Sequence, residues 1–341
     1  MRGIDADTLG LDGRWFDPVW RLEVELTPLE LELLDTWWVR RLAFVAHAGI
    51  ASFTTTQSYS RIEHSLGVLA LTAHFAPDDR AARATALLHD IGHLPFSHTL
   101  EGLGGLDHHT IGRERIAELD PVLRRHGVEA EEIIAIDEGE RLSPLTNSSG
   151  ALTLDHLDSF LRSGQVHGRT TTSPREMLGR MRLVDGAVDT DEQTADELVD
   201  LIVAEARHQR APSNVVPIAV LKHLVTNALD AGASFDAADL AQMTDGELWA
   251  ALLADPATGE GTRELRAHPR RWRMDTLPPE PPPTETLPTD APSDGSDAGA
   301  LHVRIRRGYL ALPTVDGAMI TDPRITALDD ALPLHLRVVR A

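Results

Sequence analysis

The chain has 341 residues, no cysteine, and 53 acidic against 32 basic side chains, a formal net charge of −21. That length suits one large domain or a main domain with an appendage, and 42% hydrophobic with 25% charged residues argues against wholesale disorder. Zero cysteine excludes disulfides, thiolate zinc sites and cysteine nucleophiles, and the acidic excess argues against general nucleic-acid binding, which needs a basic footprint.

The first residues, MRGIDADTLGLDGRW, carry acids and lack an apolar core of signal-peptide length. No run of about 18 apolar residues occurs, so no membrane partner is expected and a cytoplasmic protein is the expectation. Thr27, Pro28 and Glu30 combine an N-cap, a first-turn proline and a capping-box acid. Leu29, Leu31, Leu33, Leu34, Trp37 and Trp38 then give an apolar face. A second capping box, Ser60 to Glu63, predicts a helix with His64, Val68 and Leu71 on one side. Asp78 is expected to cap an alanine-rich helix running to His89 and Asp90, ended by Gly92 and Pro95. Helical patterns continue over 107–119, 128–138, 152–163, 191–208 and 214–230.

Residues 277–300 are different, with seven prolines from Pro278 to Pro292, and read as a linker or mobile loop. Residues 301–312 and 334–339 alternate apolar and polar side chains and read as strands. The expected fold class is therefore mainly α, with a helical domain over 16–255 and a small strand-containing element over 301–341.

Histidine is unevenly spread. Of sixteen, seven lie between positions 64 and 109: His64, His74, His89, His93, His98, His108 and His109. Imidazole is the commonest protein metal ligand, and adjacent His89 and Asp90 offer a nitrogen and a carboxylate from one helix end. HDIGH superficially mimics the zinc-protease motif H-E-x-x-H. That motif needs a continuous helix and a glutamate base, whereas here Gly92 and Pro95 interrupt the helix and Asp90 is one methylene short.

Taken together, SRIEHSLGV, ALLHDIGHLPFSH, HHTIGRERI and LDHLDSFLRSG resemble the HD-domain phosphohydrolases. The resemblance is greatest to the branch of deoxynucleoside triphosphate triphosphohydrolases that carries a SAM and HD domain in its human member. DPVW, PLELELLDT and RRL near the start are also similar to that branch, and the likeness covers about 16–165. It implies an HD-type helical bundle with four metal ligands, His64, His89, Asp90 and Asp155, which suit one divalent ion such as Mn, Fe, Ni, Co or Zn, with Mg on substrate phosphates. In the family pattern D-x-x-D-Y the first aspartate takes the metal, which selects Asp155 and leaves Asp158 to support or to face substrate.

The resemblance further implies catalytic histidines at His93, His98 and His109, with His109 as the proton donor and His108 facing elsewhere. Arg61 matches a phosphate-contacting arginine, and His47 lies near a substrate-contacting glutamine. Lys222 reads as an exposed helix residue. The partner implied is a small phosphorylated molecule, a nucleotide by family, and oligomers are usual among similar proteins. Ser159 and Ser163 replace a tyrosine and an aspartate that grip the sugar in the family. That departure keeps a nucleotide phosphomonoesterase open beside the triphosphohydrolase, and a catalytically silent nucleotide-binding regulator is the reading of another class.

Overall fold

The computed structural model describes residues 13–147, 149–277 and 299–341, so the proline-rich stretch lies, but for its ends, outside the described residues. Before the first helix comes a feature the periodicity does not signal, an antiparallel hairpin of strands Arg14–Asp17 and Leu22–Glu25. Its turn is closed by the Asp17 carboxylate, whose Oδ1 accepts from the backbone N–H of Val19 (2.9 Å) and Trp20 (2.8 Å).

The chain is mainly helical thereafter. The capping boxes at Thr27 and Ser60 form as the residue types dictate, opening helices Pro28–Leu34 and Arg61–Phe75. Besides closing its capping box, the Glu30 carboxylate takes a buried ion pair from Arg83 on helix Arg80–Leu88, at 2.6 Å. That helix is capped by Asp79, one residue later than expected, because Asp79 Oδ1 reaches the Ala82 N–H at 3.0 Å. Helices His108–Glu118, Ala130–Asp137, Leu154–Val166, Glu192–Gln209 and Pro212–Asp230 follow close to the predicted stretches. Among the described residues, no helix is long and apolar enough to cross a membrane.

Two apolar cores result. One gathers Trp20, Leu33, Leu69, Leu87, Ile91, Leu157 and Ile202, uniting the hairpin with the helices that carry His64, His89 and Asp155. The other gathers Leu94, Phe96, Leu100, Leu221, Leu248 and Val338 around helix Pro212–Asp230. Ile91 belongs to the first and Leu94 to the second, so the HDIGH turn sits on the seam between them.

The strands near the C-terminus join both. Strand Leu334–Arg340 lies between Trp272–Thr276 and Leu301–Ile305 in an antiparallel sheet packed on the second core. Thr314–Val315 pairs in parallel with Ala187–Thr190 beside the first core. The strand expected over 301–312 ends at Ile305, and residues 306–313 run without regular structure across the face of the molecule from one sheet to the other.

Candidate metal centre

Four side chains from three helices meet at the seam. His64 comes from helix Arg61–Phe75, His89 and Asp90 from the C-terminal end of Arg80–Leu88, and Asp155 from the first turn of Leu154–Val166. His64 Nε2 stands 2.9 Å from Asp155 Oδ1, 3.4 Å from His89 Nε2 and 3.8 Å from Asp90 Oδ2. His89 Nε2 is 3.6 Å from Asp90 Oδ2 and 3.7 Å from Asp155 Oδ1. Two ligands held at about 2.1 Å by one ion stand about 3.0–3.4 Å apart. His64 lies close to that spacing from Asp155 and His89, and the other pairs are a few tenths of an ångström wider. His64, His89 and Asp155 form the group whose ligand atoms all lie within 4.8 Å of one another.

The far side of each imidazole makes the same point. His89 Nδ1–H donates to the Ala86 carbonyl at 3.1 Å, which leaves Nε2 as the ligand atom. His64 Nδ1–H donates to Asp158 Oδ2 at 2.8 Å, the carboxylate–histidine arrangement that fixes tautomer and ring orientation in metal sites. Burial opposes charge on His64, yet the hydrogen bonds to Asp155 and Asp158 prevail and raise its pKa to about 9. Two imidazoles and two carboxylates with committed outer nitrogens fit a divalent transition ion.

Asp158 is wholly buried and reached by no solvent. Its Oδ1 accepts from Trp20 Nε1 at 2.7 Å and from Arg162 Nη2 at 2.9 Å, and Arg162 continues to Asp17 at 2.8 Å. A substrate contact for Asp158 does not fit this placement; it stands behind His64 and orients it. The hairpin thus braces the centre through Asp17 and Trp20, residues that the sequence pattern does not single out beyond the DPVW string. Gly67 makes this possible, since a Cβ there would lie 2.1 Å from Arg162 Nη2 and 2.2 Å from Asp158 Oδ1.

Arg61 is buried and donates from Nη1 to Asp90 Oδ2 at 2.8 Å and from Nε to Ser97 Oγ at 2.9 Å. Asp90 keeps its carboxyl well below the ordinary range despite burial, because Arg61 and the neighbouring histidines face it. Its other oxygen, Oδ1, lies 3.0 Å from His93 Nε2. Burial and the Arg61 charge hold His93 well below its usual pKa, so its proton belongs on Nε2 toward Asp90 and Nδ1 is left buried without a partner. His47 sits with its ring 4.7 Å from that of His64, and its Nε2 is 3.3 Å from Ser159 Oγ.

The pair at 108–109 reverses the expectation from sequence. His108, expected to face elsewhere, stacks on His93 with rings 10° from parallel and centroids 4.3 Å apart, and lies 5.0 Å from His98. Its Nδ1–H donates to Glu101 at 2.9 Å. His109 is 60% exposed, with Asp137 Oδ2 at 3.9 Å as its acidic neighbour. Gly92 sets this register: the start of helix His108–Glu118 approaches so closely that a Cβ on Gly92 would lie 2.0 Å from the His108 carbonyl oxygen.

The turn after HDIGH is forced. Phe96 and Ser97 both take left-handed backbone angles, φ 56° and 54°, an uncommon pair for non-glycine residues. Asp245 holds them there, accepting from Phe96 N–H at 2.6 Å and Ala46 N–H at 2.8 Å. Arg41 donates to the His93 carbonyl at 2.8 Å, and Arg115 to that of Ile91. Lys222, expected to be exposed, is partly buried and donates to the Glu101 carbonyl at 2.7 Å. His156, beside Asp155, has its ring 5.7 Å from that of Tyr309. A histidine next to a candidate ligand at a helix start was the sequence signal for it.

Residues 61–162 match the HD domain family. The chain is 29% identical over 164 residues to the metal-dependent phosphohydrolase cns2 of Cordyceps militaris, covering 45% of each chain. It is 24% identical over 188 residues to a deoxynucleoside triphosphate triphosphohydrolase SAMHD1 homolog of Dictyostelium discoideum, covering 46% of this chain and 37% of that one. An uncharacterized protein of Methanocaldococcus jannaschii is 32% identical over 142 residues, 37% of this chain and 31% of that one. The chain thus spans a third to a half of the length of these curated relatives. The fold resembles a crystal structure of a phosphohydrolase from Bacteroides thetaiotaomicron at TM-score 0.71 and 15% identity, over 96% of this chain and 99% of that one. The HD domain and the relatives named as phosphohydrolases support a metal-dependent hydrolase.

Proposed function

We propose that this HD-domain chain is a metal-dependent phosphohydrolase acting on a nucleotide, with His64, His89, Asp90 and Asp155 holding one divalent ion. The observation that carries the reading is the convergence of ligand atoms from His64, His89 and Asp155 within 4.8 Å of one another, with Asp90 Oδ2 3.6–3.8 Å from the two imidazoles and both outer imidazole nitrogens committed elsewhere. An ion held there polarises a phosphoryl oxygen and lowers the pKa of a water beside it. Arg61 keeps Asp90 ionised and oriented, and adds positive charge where phosphate charge accumulates. The histidines from His93 beside Asp90 through His98 and His108 to exposed His109 form a row of imidazoles that holds and delivers the leaving-group proton. Asp137 raises the pKa of His109, which favours its charged form at the solvent end of that row.

Triphosphate release from a deoxynucleoside triphosphate is the finer reading, by similarity to the Dictyostelium relative's name. Glu205 supports it: its Oε2 accepts from Ser163 Oγ at 2.6 Å, which returns a carboxylate to a place where the family carries aspartate. Ser159 in place of tyrosine favours instead a phosphomonoesterase acting on a nucleotide. Incubating metal-loaded protein with a nucleotide panel and weighing the products separates them, free triphosphate against orthophosphate. No turnover of any phosphate ester with Mn, Fe, Co, Ni or Zn, together with tight nucleotide binding, would leave the regulator reading in place of both.

A further inference from the structure

The chain that crosses from strand Leu301–Ile305 to strand Thr314–Val315 does not pass over a neutral part of the surface. Leu312 is buried, and its carbonyl accepts from the Leu152 N–H at 2.8 Å, three residues before Asp155. At the other end Gly308 lies on Arg210, where an added Cβ would be 3.2 Å from Nη2. Between these two positions the Tyr309 ring stands 6.2 Å from His98 and 5.7 Å from His156, so it lies between the histidine row and the helix that carries Asp155. It is nonetheless 39% exposed. Burial raises the pKa of its phenol against the opposing charges of Arg307 and Arg61, and Asp155 and Glu101 add to the rise. Arg306 and Arg307 precede it, both exposed, on a chain whose net charge is −21.

We infer that the strap Arg306–Leu310 is a substrate-binding element beside the metal centre, with Arg307 contacting a phosphate beyond the one that reacts and Tyr309, next to His98 and His156, contacting the nucleoside. The inference rests on the metal-centre reading above and deepens it by naming a binding element outside the HD match at 61–162. The physical argument has three parts. A cationic segment next to Tyr309 in an acidic protein concentrates small anions near it. A half-exposed tyrosine offers one ring face to a planar base and a neutral O–H to an oxygen. The hydrogen bond to Leu312 and the close approach of Gly308 to Arg210 limit the motion of the ring before substrate arrives, so less order is lost on binding.

The test measures binding of orthophosphate, inorganic triphosphate and a non-hydrolysable nucleoside triphosphate to the metal-loaded wild type, Arg307→Ala, Tyr309→Ala and Tyr309→Phe. Bound metal and thermal midpoint are recorded for each. Metal content and orthophosphate binding stay at wild-type values in all variants. Arg307→Ala weakens inorganic triphosphate about tenfold, the loss of one charge-assisted contact. Tyr309→Ala weakens the nucleoside triphosphate about tenfold and leaves inorganic triphosphate unchanged, and Tyr309→Phe recovers the part that ring contact supplies. Nucleoside triphosphate binding unchanged in both alanine variants, with orthophosphate binding intact, overturns the strap assignment alone. Failure of the wild type to hold metal or orthophosphate overturns the metal-centre reading and this inference with it.

Discussion

Gly67→Ala tests the brace behind His64, because two physical effects of opposite sign meet at that position. Gly67 lies in helix Arg61–Phe75, three residues after His64. Helix propensity alone rewards alanine over glycine there by about 1 kcal/mol. The structure imposes the reverse: the new Cβ would fall 2.1 Å from Arg162 Nη2, 2.2 Å from Asp158 Oδ1 and 2.8 Å from Asp158 Cγ. Ordinary contact begins about 1.2 Å farther out, and neither partner can retreat into solvent, since both are buried and joined to each other at 2.9 Å. Overpacking costs about 1–3 kcal/mol, and disrupting a buried ion pair about 3–5 kcal/mol. With both costs incurred and the propensity gain subtracted, the net expectation is a loss of about 3–7 kcal/mol in unfolding free energy, read from urea denaturation of the metal-free protein. Displacing Asp158 from His64 Nδ1 further lowers metal affinity about 10–100-fold, read by competition with a chelator. Gly246→Ala is the internal control. It sits in helix Asp245–Ala254 with open space around its Cβ position, so it stays neutral or gains up to about 1 kcal/mol. A Gly67→Ala protein as stable as wild type, with unchanged metal affinity, refutes the brace.

Three further outcomes follow from the same geometry. Trp20→Phe keeps the buried ring but deletes the N–H donated to Asp158, which costs about 1–3 kcal/mol and weakens metal binding; a variant indistinguishable in both would detach the hairpin from the centre. His89→Ala and Asp90→Ala lose metal and activity together, whereas His108→Ala keeps metal and lowers turnover about 100-fold, more than His109→Ala does. Elemental analysis and initial rates decide this, and a larger effect at His109 would restore the sequence-based order. Burial raises the Asp245 carboxyl from 3.8 to about 6. With a folded pKa above the unfolded one, its contribution is full below pH 3.8 and lost as pH rises through 6. The penalty of Asp245→Ala is therefore larger at pH 4.5 than at pH 7.5, by about 2 kcal/mol; an equal or larger penalty at pH 7.5 contradicts the sign.

Local chemistry was legible before any tertiary contact. Capping boxes at Thr27 and Ser60 depend on residues three apart, and the adjacency of His89 and Asp90 at a helix end is likewise a short-range fact. The types and positions of the four convergent side chains could be named from motifs for that reason. Asp79 rather than Asp78 as a cap was a one-residue matter of which carboxylate reaches the Ala82 N–H. The strand over 301–312 was read too long, because alternation persists through Leu310 and Leu312 although no partner strand is there to pair with them.

The order of His108 and His109 was beyond the sequence, since both start the same helix and only the approach permitted by Gly92 turns one ring onto His93. The placements of Asp17, Trp20, Arg162 and Asp245 were hidden for a common reason. Each acts on a residue far along the chain, Trp20 on Asp158 and Asp245 on Phe96, and nothing in local spacing encodes such pairs. Sequence alone supplied candidate ligands, through motifs and a family resemblance, and where helices start, because those depend on residue type and separations of a few residues. Tertiary structure decided which histidine stacks on His93 and what packs behind the candidate ligands, because each depends on how two cores meet along the HDIGH seam.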